Sequence, residues 1–282
     1  MKKSKTERIF FTVVFIIFVV YSIAILYLFA FAFNSSLIEN GRAFIKDSVS
    51  IVTKPNFGNY LIALKELKVN KIDFLGMLLN SLIYSVGTTG LGIMSSTFLA
   101  YAVSKYDFKL KKFLYSLALF VMIIPIYGAL PAQYRFFTQL KLINSWAYLI
   151  STAGAFGFNF IIIHSFFESV SSDYMEAAFI DGAGHFTVLF SIMFPMALPS
   201  ITAIVVTSFV GCWNDYQTPL LFLPRLATLS SGLWVYENKI QYSANAPVYF
   251  AGTLISIIPV LLLFLIFQNT IMEKVYAGGL KG

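Results

Sequence analysis

Few residues in this chain have the types and spacing that catalysis or cofactor binding requires. His164 and His185 lie far apart and bring no ligand set with them, so no metal is expected. Cys212 is the one cysteine, which excludes an internal disulfide and a cysteine-based metal cluster. The Gly-x-x-x-x-Gly-Lys-Ser/Thr phosphate cradle does not occur, so ATP is not bound that way and any energy must come from a partner. No acids, histidines or cysteines cluster as a membrane enzyme would need. The chain therefore reads as non-enzymatic and without a cofactor. Two polar features remain. One is Trp213-Asn214-Asp215 with Gln217, inside an apolar run; the other is the connection 168–199, which carries Glu168, Asp173, Glu176 and Asp181 and no Lys or Arg.

The elements that position these features follow from composition. The 282 residues are 58% apolar and 12% charged. A soluble chain carries about twice that share of charge, so the chain reads as a membrane protein. The net charge of +7 is assigned to basic residues flanking spans. No Lys/Arg stripe interleaved with aromatics occurs, so nucleic acid is not an expected partner. Six segments reach the roughly 20 apolar residues of a span: 10–33, 78–103, 113–132, 146–167, 200–223 and 249–270. They are too long and too uniformly apolar for barrel strands, so an all-α transmembrane bundle is expected. The first run follows Lys2, Lys3, Lys5 and Arg8 but is about twice the length of a signal core. It reads as a retained helix after a tail at 1–9, in one transmembrane domain over 10–282. Pro125 and Pro131 would kink the third span, and Pro259 the sixth.

Basic residues divide evenly between the two sides and leave orientation undecided by number. Density favours a cytoplasmic N-terminus, with four basic residues in the first eight positions and four in "KYDFKLKK". The acidic connection then lies inside, against the usual preference.

Asp215 within hydrocarbon costs about 2.5–3.5 kcal/mol. Asn214, Asp215 and Gln217 either line a polar path or form interhelical hydrogen bonds. Asn80 and Ser81 are read as capping the start of the second span. In the connection, "SDYMEAAFIDG" reads as a short helix, with Asp173 as N-cap, Glu176 as its capping-box partner and Gly182 as the left-handed stop. "HFTVLFSIMF" then resumes helical spacing before Pro195 and Pro199. Two readings stand for this hairpin. It connects two spans at the interface, or its small residues Ala177, Ala178, Gly182 and Ala183 admit a second protein whose Arg or Lys meets Glu176 and Asp181.

"EAAFIDGAGHFTVLFSIMFP" resembles the EAA loop of binding-protein-dependent ABC importer permeases. Glu176, Ala177, Ala178, Gly182, Ile192 and Pro195 match its spacing, Phe194 stands where Leu is usual, and Asp181-Gly182-Ala183 is the sugar-permease version. "LLNSLIYSV", "LAYAVSKYDFKLKK", "IIPIYGALPAQYRFFTQLKLINSW", "FVGCWNDYQTPLLFL" and "YAGGLKG" extend the likeness over most of 57–282. The resemblance is to the smaller permease of the maltose and multiple-sugar type. It implies a six-helix type I importer permease with both termini cytoplasmic, in the bacterial cell membrane. The implied partners are a second homologous permease, cytoplasmic ATP-binding subunits and an extracytoplasmic sugar-binding protein, which 224–248 with Trp234 and Tyr236 would meet. It makes Glu176–Ala183 the ATPase-coupling segment and puts Asn214, Asp215 and Gln217 beside the path of a sugar. The rival is a stand-alone secondary transporter or channel. That would need several intramembrane ionisable residues, and the spans offer mainly Asp215.

Overall fold

Helix α1 (Lys5–Ser36) begins with a reciprocal cap. Glu7 N donates to Ser4 Oγ at 3.2 Å, and Ser4 N donates to the Glu7 carboxylate at 2.8 Å. This cap is the start of a computed structural model that describes residues 4–123, 129–243 and 245–279. Among these residues regular structure is helical, apart from one isolated bridge between Val69 and Ile72. Four helical runs are long and apolar enough to cross a membrane: Lys5–Ser36, Phe74–Lys105, His185–Asn214 and Ala246–Gln268.

The segments expected at 113–132 and 146–167 are not single helices. In the first, α5 (Lys111–Ile123) is followed, beyond 124–128, by α6 (Leu130–Gln139). Pro131 falls in the first turn of α6, where its missing N–H costs nothing, so it starts a helix instead of kinking one. The kink expected at Pro125 lies outside the described residues. In the second, a 3₁₀ turn (Trp146–Thr152) precedes α7 (Phe158–Ser169). Gly157 separates them at φ +132°, a conformation open to glycine and closed to most side chains.

The chain forms two compact units. The first comprises residues of 1–74 and 233–258. It holds the end of α1, the short helices α2 (Gly41–Lys46) and α3 (Gly58–Glu66), and parts of α12 (Leu229–Ser243) and α13 (Ala246–Gly279). The last carbonyls of α1 have no helical partner. The buried Asn59 amide supplies one, donating to Ser36 O at 2.8 Å and Ile38 O at 2.7 Å. Phe250 meets Phe31 and Phe44, and Gly252 lets α13 approach Leu67, Leu233 and Phe74.

The second unit comprises residues of 75–232 and 259–282. Its larger core is built from helix faces at regular spacing. Phe160, Ile163 and Phe167 come from α7, Ala100 and Val103 from α4 (Phe74–Lys105), and Met193, Ala197, Ile201 and Ile204 from the run His185–Asn214. In lipid such faces are held by close van der Waals packing, because lipid tails are as apolar as leucine. A smaller cluster joins Tyr84, Tyr148, Phe222 and Leu223, with Tyr148 stacked on Phe222 at 5.2 Å.

His185–Asn214 contains α9 (His185–Val188), a π turn (Leu189–Met193) and α10 (Phe194–Asn214). The widened turn has a local cause. Pro195 would crowd the Ser191 carbonyl in a regular α turn, and Phe194 N instead reaches back to Leu189 O.

Gly252→Val is expected to lower stability by about 1–3 kcal/mol, because the new side chain meets the fully buried Leu67. Thermal unfolding of the detergent-solubilised protein checks it. Pairing it with Leu67→Ala should cost less than the two changes summed.

Candidate functional site

Helix α8 (Asp173–Ile180) is the short helix expected in the acidic connection, with a different start. Its N-cap is Ser172, which makes no side-chain cap, so the Asp173–Glu176 capping box does not form. Asp173 is the first helical residue, and its N–H donates to Ser171 Oγ at 3.2 Å. Both acids occupy the first turn, where the positive end of the helix dipole favours them.

The other end is closed as the sequence suggests. Gly182 has φ +84°. Gly182 N donates to Phe179 O at 3.1 Å and Ala183 N to Ala178 O at 2.9 Å. This 5→2 and 6→1 pair is the Schellman arrangement.

Met175 and Ala178 turn into the chain's own core. Ala178 is therefore spent on internal packing and is not free for a second surface. Glu176, Ala177, Asp181 and Gly182 are exposed, and Ala183 is half-buried. Ile180, at 86% exposure, and Phe186, at 75%, stand out beside them. Neither Ile180 nor Phe186 is among the docking residues expected from the sequence, where Phe186 enters only as part of the helical spacing of "HFTVLFSIMF". The one available signal was that Ile180 lies one helical turn beyond Glu176.

Polar links hold the segments on either side of this helix. Lys105 Nζ donates to Val170 O at 2.5 Å, at the end of α7. Tyr106 Oη and His185 Nδ1 are 2.8 Å apart, and the His185 ring meets Phe179 edge-on at 5.0 Å. His185 thus ties the start of α9 to the end of α4 and to α8. His164 is elsewhere, with Nε2 3.9 Å from Glu168 Oε1. Among the described residues no group of three His, Cys, Asp or Glu side chains could hold a metal ion.

The second polar feature sits at a helix break. Helix α10 stops at Asn214, Asp215 is extended, and α11 (Gln217–Phe222) follows. Asp215 Oδ1 accepts from Thr218 N at 3.0 Å, and Oδ2 accepts from Tyr84 Oη at 2.8 Å. The interhelical hydrogen bond weighed for Asp215 is present. Ser230 Oγ donates to Trp213 O at 2.5 Å, satisfying a carbonyl at the end of α10. Asn214 is exposed and donates to Val210 O in its own helix, and Gln217 is exposed. Asn80 and Ser81 lie inside α4 and do not cap it. Asn80 Nδ2 donates to Ala227 O at 3.0 Å, and Ser81 Oγ accepts from Leu229 N at 2.7 Å at the start of α12.

Among the described residues the fold is helical, with several membrane-length helices and an exposed acidic helix, the architecture of a multi-pass membrane protein. Residues 88–273 match the family described as binding-protein-dependent transport system inner membrane component, and the chain belongs to that family. It is 30% identical to the sulfoquinovosyl glycerol transport system permease protein SmoH of Agrobacterium fabrum, over 81% of this chain and 79% of that one. It is 31% identical to the galactooligosaccharides transport system permease protein GanQ of Bacillus subtilis, over 83% and 84%. Its fold matches a chain from a bacterial ABC transporter involved in the import of the acidic polysaccharide alginate. The TM-score is 0.76 at 22% identity, covering 95% of this chain and 99% of the other.

Tyr84→Phe removes the donor that reaches Asp215 and should destabilise the protein by about 1.5–3 kcal/mol. Asn214→Ala, whose amide bonds only within its own exposed turn, should cost less. Unfolding midpoints of the two variants in one detergent check the order.

Proposed function

We propose that this chain is one permease subunit of a bacterial ATP-driven importer for a carbohydrate or carbohydrate-derived solute. It forms half of the path with a second, homologous permease. The observation that carries this reading is α8: a short acidic helix closed by a glycine turn at its C-terminus, anchored by Met175 and exposed along Glu176, Ala177, Ile180, Asp181 and Gly182. Such a surface fits the cleft of a cytoplasmic ATP-binding subunit, with Ile180 as the apolar contact and the acids as partners for Arg or Lys. The permease titles of its relatives support the transport role.

In this reading both termini and the connection 168–199 face the cytoplasm, and the six segments of the single domain cross the membrane. The shorter crossings are made by α5 with α6 and by the 3₁₀ turn with α7. The 224–248 connection, with Trp234 and Tyr236, faces outward to a sugar-binding protein. Closure of the ATP-binding subunits pushes α8. Lys105–Val170 and Tyr106–His185 pass the push to α4, and α9 passes it to α10, so that the spans rock between inward- and outward-facing states. Asn214 and Gln217 line the path at the break in the fifth span, while Asp215 holds the break open against Tyr84.

Glu176→Lys should cut solute uptake and co-purification of the ATP-binding subunit by on the order of tenfold or more, since it reverses a charge at the docking surface. Gly182→Leu should do the same by straining a left-handed residue, at about 1–2 kcal/mol. Both variants should remain membrane-inserted. Wild-type uptake in both would reject the docking role.

A further inference from the structure

The second unit contains a cavity of about 410 Å³ among α4, α5 and α7, which shares only Glu168 with the acidic connection and no residue with α8 or the break at Asp215. Lys111, Lys112, Tyr115, Ser116, His164 and Glu168 line it. His164 is a polar side chain only 5% exposed, packed against Tyr115 at 4.8 Å, and its nearest charged group is Glu168 at 3.9 Å. The two lysines stand at the first turn of α5, where the helix dipole adds positive potential. The Glu168 side chain is 57% exposed and cancels only part of that charge.

One stripe of α5 leads away from the cavity. Lys112 and Ser116 are at its foot, and Leu119, Phe120 and Ile123 continue it at helical spacing, all exposed. A basic, hydroxyl-bearing foot beneath an exposed apolar stripe has the polarity profile of a phospholipid. A free sugar or small anion would use the foot and leave the stripe bare.

We infer that this cavity is a binding site for a phosphate ester, filled by the headgroup of an anionic phospholipid whose acyl chains lie along Leu119, Phe120 and Ile123. The lysines bind the phosphate, Ser116 and Tyr115 offer hydroxyls, and His164 closes the inner wall. The leaflet rests on the cytoplasmic N-terminus proposed above, which after two crossings puts 104–112 on the cytoplasmic face, where anionic lipids are enriched. Binding itself does not depend on that placement or on coupling to ATP, so the two readings fail separately.

Native mass spectrometry of the full chain, purified with its co-expressed partners in mild detergent, tests the site. Equal amounts of phosphatidylglycerol and phosphatidylcholine are supplied, and phosphatidylglycerol should be retained preferentially. Lys111→Gln with Lys112→Gln should weaken retention roughly 30-fold. Lys109→Gln, in the same loop and outside the cavity lining, should leave it unchanged. Glu168→Gln should strengthen retention about fivefold, a gain that misfolding does not produce. Equal retention of the two lipids, or an equal loss in Lys109→Gln, would overturn the site. Displacement of the lipid by inorganic phosphate alone would overturn the lipid as occupant and assign the cavity to a free phosphate.

Discussion

In hydrocarbon an unpaired backbone N–H or C=O costs several kcal/mol, so every helix end that falls there needs a partner from somewhere else in the chain. That demand organises much of this structure. Asn59 supplies donors to the end of α1, Ser81 an acceptor to the start of α12, and Lys105 a donor at the end of α7. Asp215 accepts from the first turn of α11, and Ser230 satisfies the end of α10. Each of these is a polar side chain held by a helix end, and the Ser81–Leu229 link bridges residues 148 apart in the chain. Polar residues of these helices thus have structural duties before any functional one, as Asp215 shows. Its carboxylate is occupied by Tyr84 and Thr218, and the break it stabilises leaves Asn214 and Gln217 exposed.

Helix α8 obeys the same rule by different means. Ser171 Oγ accepts from the first of its N–H groups, the N-cap Ser172 adds no side-chain cap, and outside the spans water can serve the rest. Its C-terminus is closed by backbone alone, with glycine taking the left-handed turn. The result is a short helix whose inner face, Met175 and Ala178, belongs to the core. Its outer face carries acids and a bare isoleucine. In the proposed docking role α8 would act as a lever, which has to be stiff where it is attached and open where it is pushed. The links Lys105–Val170 and Tyr106–His185 on either side of it would meet the first need, and the exposure of Glu176 and Ile180 the second.

The proposed docking of α8 on a cytoplasmic partner would account for the charge pattern that composition left unresolved. Basic residues are split evenly by number, and the one long connection without them is the connection that carries α8. The lysines at 105–112 sit beside it, and two of them line a separate cavity with His164.

The sequence by itself determined the class of protein, because runs of twenty apolar residues admit only helices or barrels, and these runs do not alternate. It also determined the closed C-terminus of α8, since Gly182 alone in that stretch tolerates positive φ, and the spacing of the EAA motif. Tertiary structure decided the rest. Pro131 starts a helix, Gly157 interrupts a run that hydropathy reads as continuous, and Pro195 widens a turn to π; hydropathy averages over such local geometry. Ala178 faces inward and Ile180 outward, a division fixed by which side of α8 joins the larger core of the second unit. Asn80 and Ser81 serve helix ends near 227–229, and Tyr84 serves Asp215, because in a membrane the partner of a free backbone group is chosen by proximity in space, which residue order does not encode.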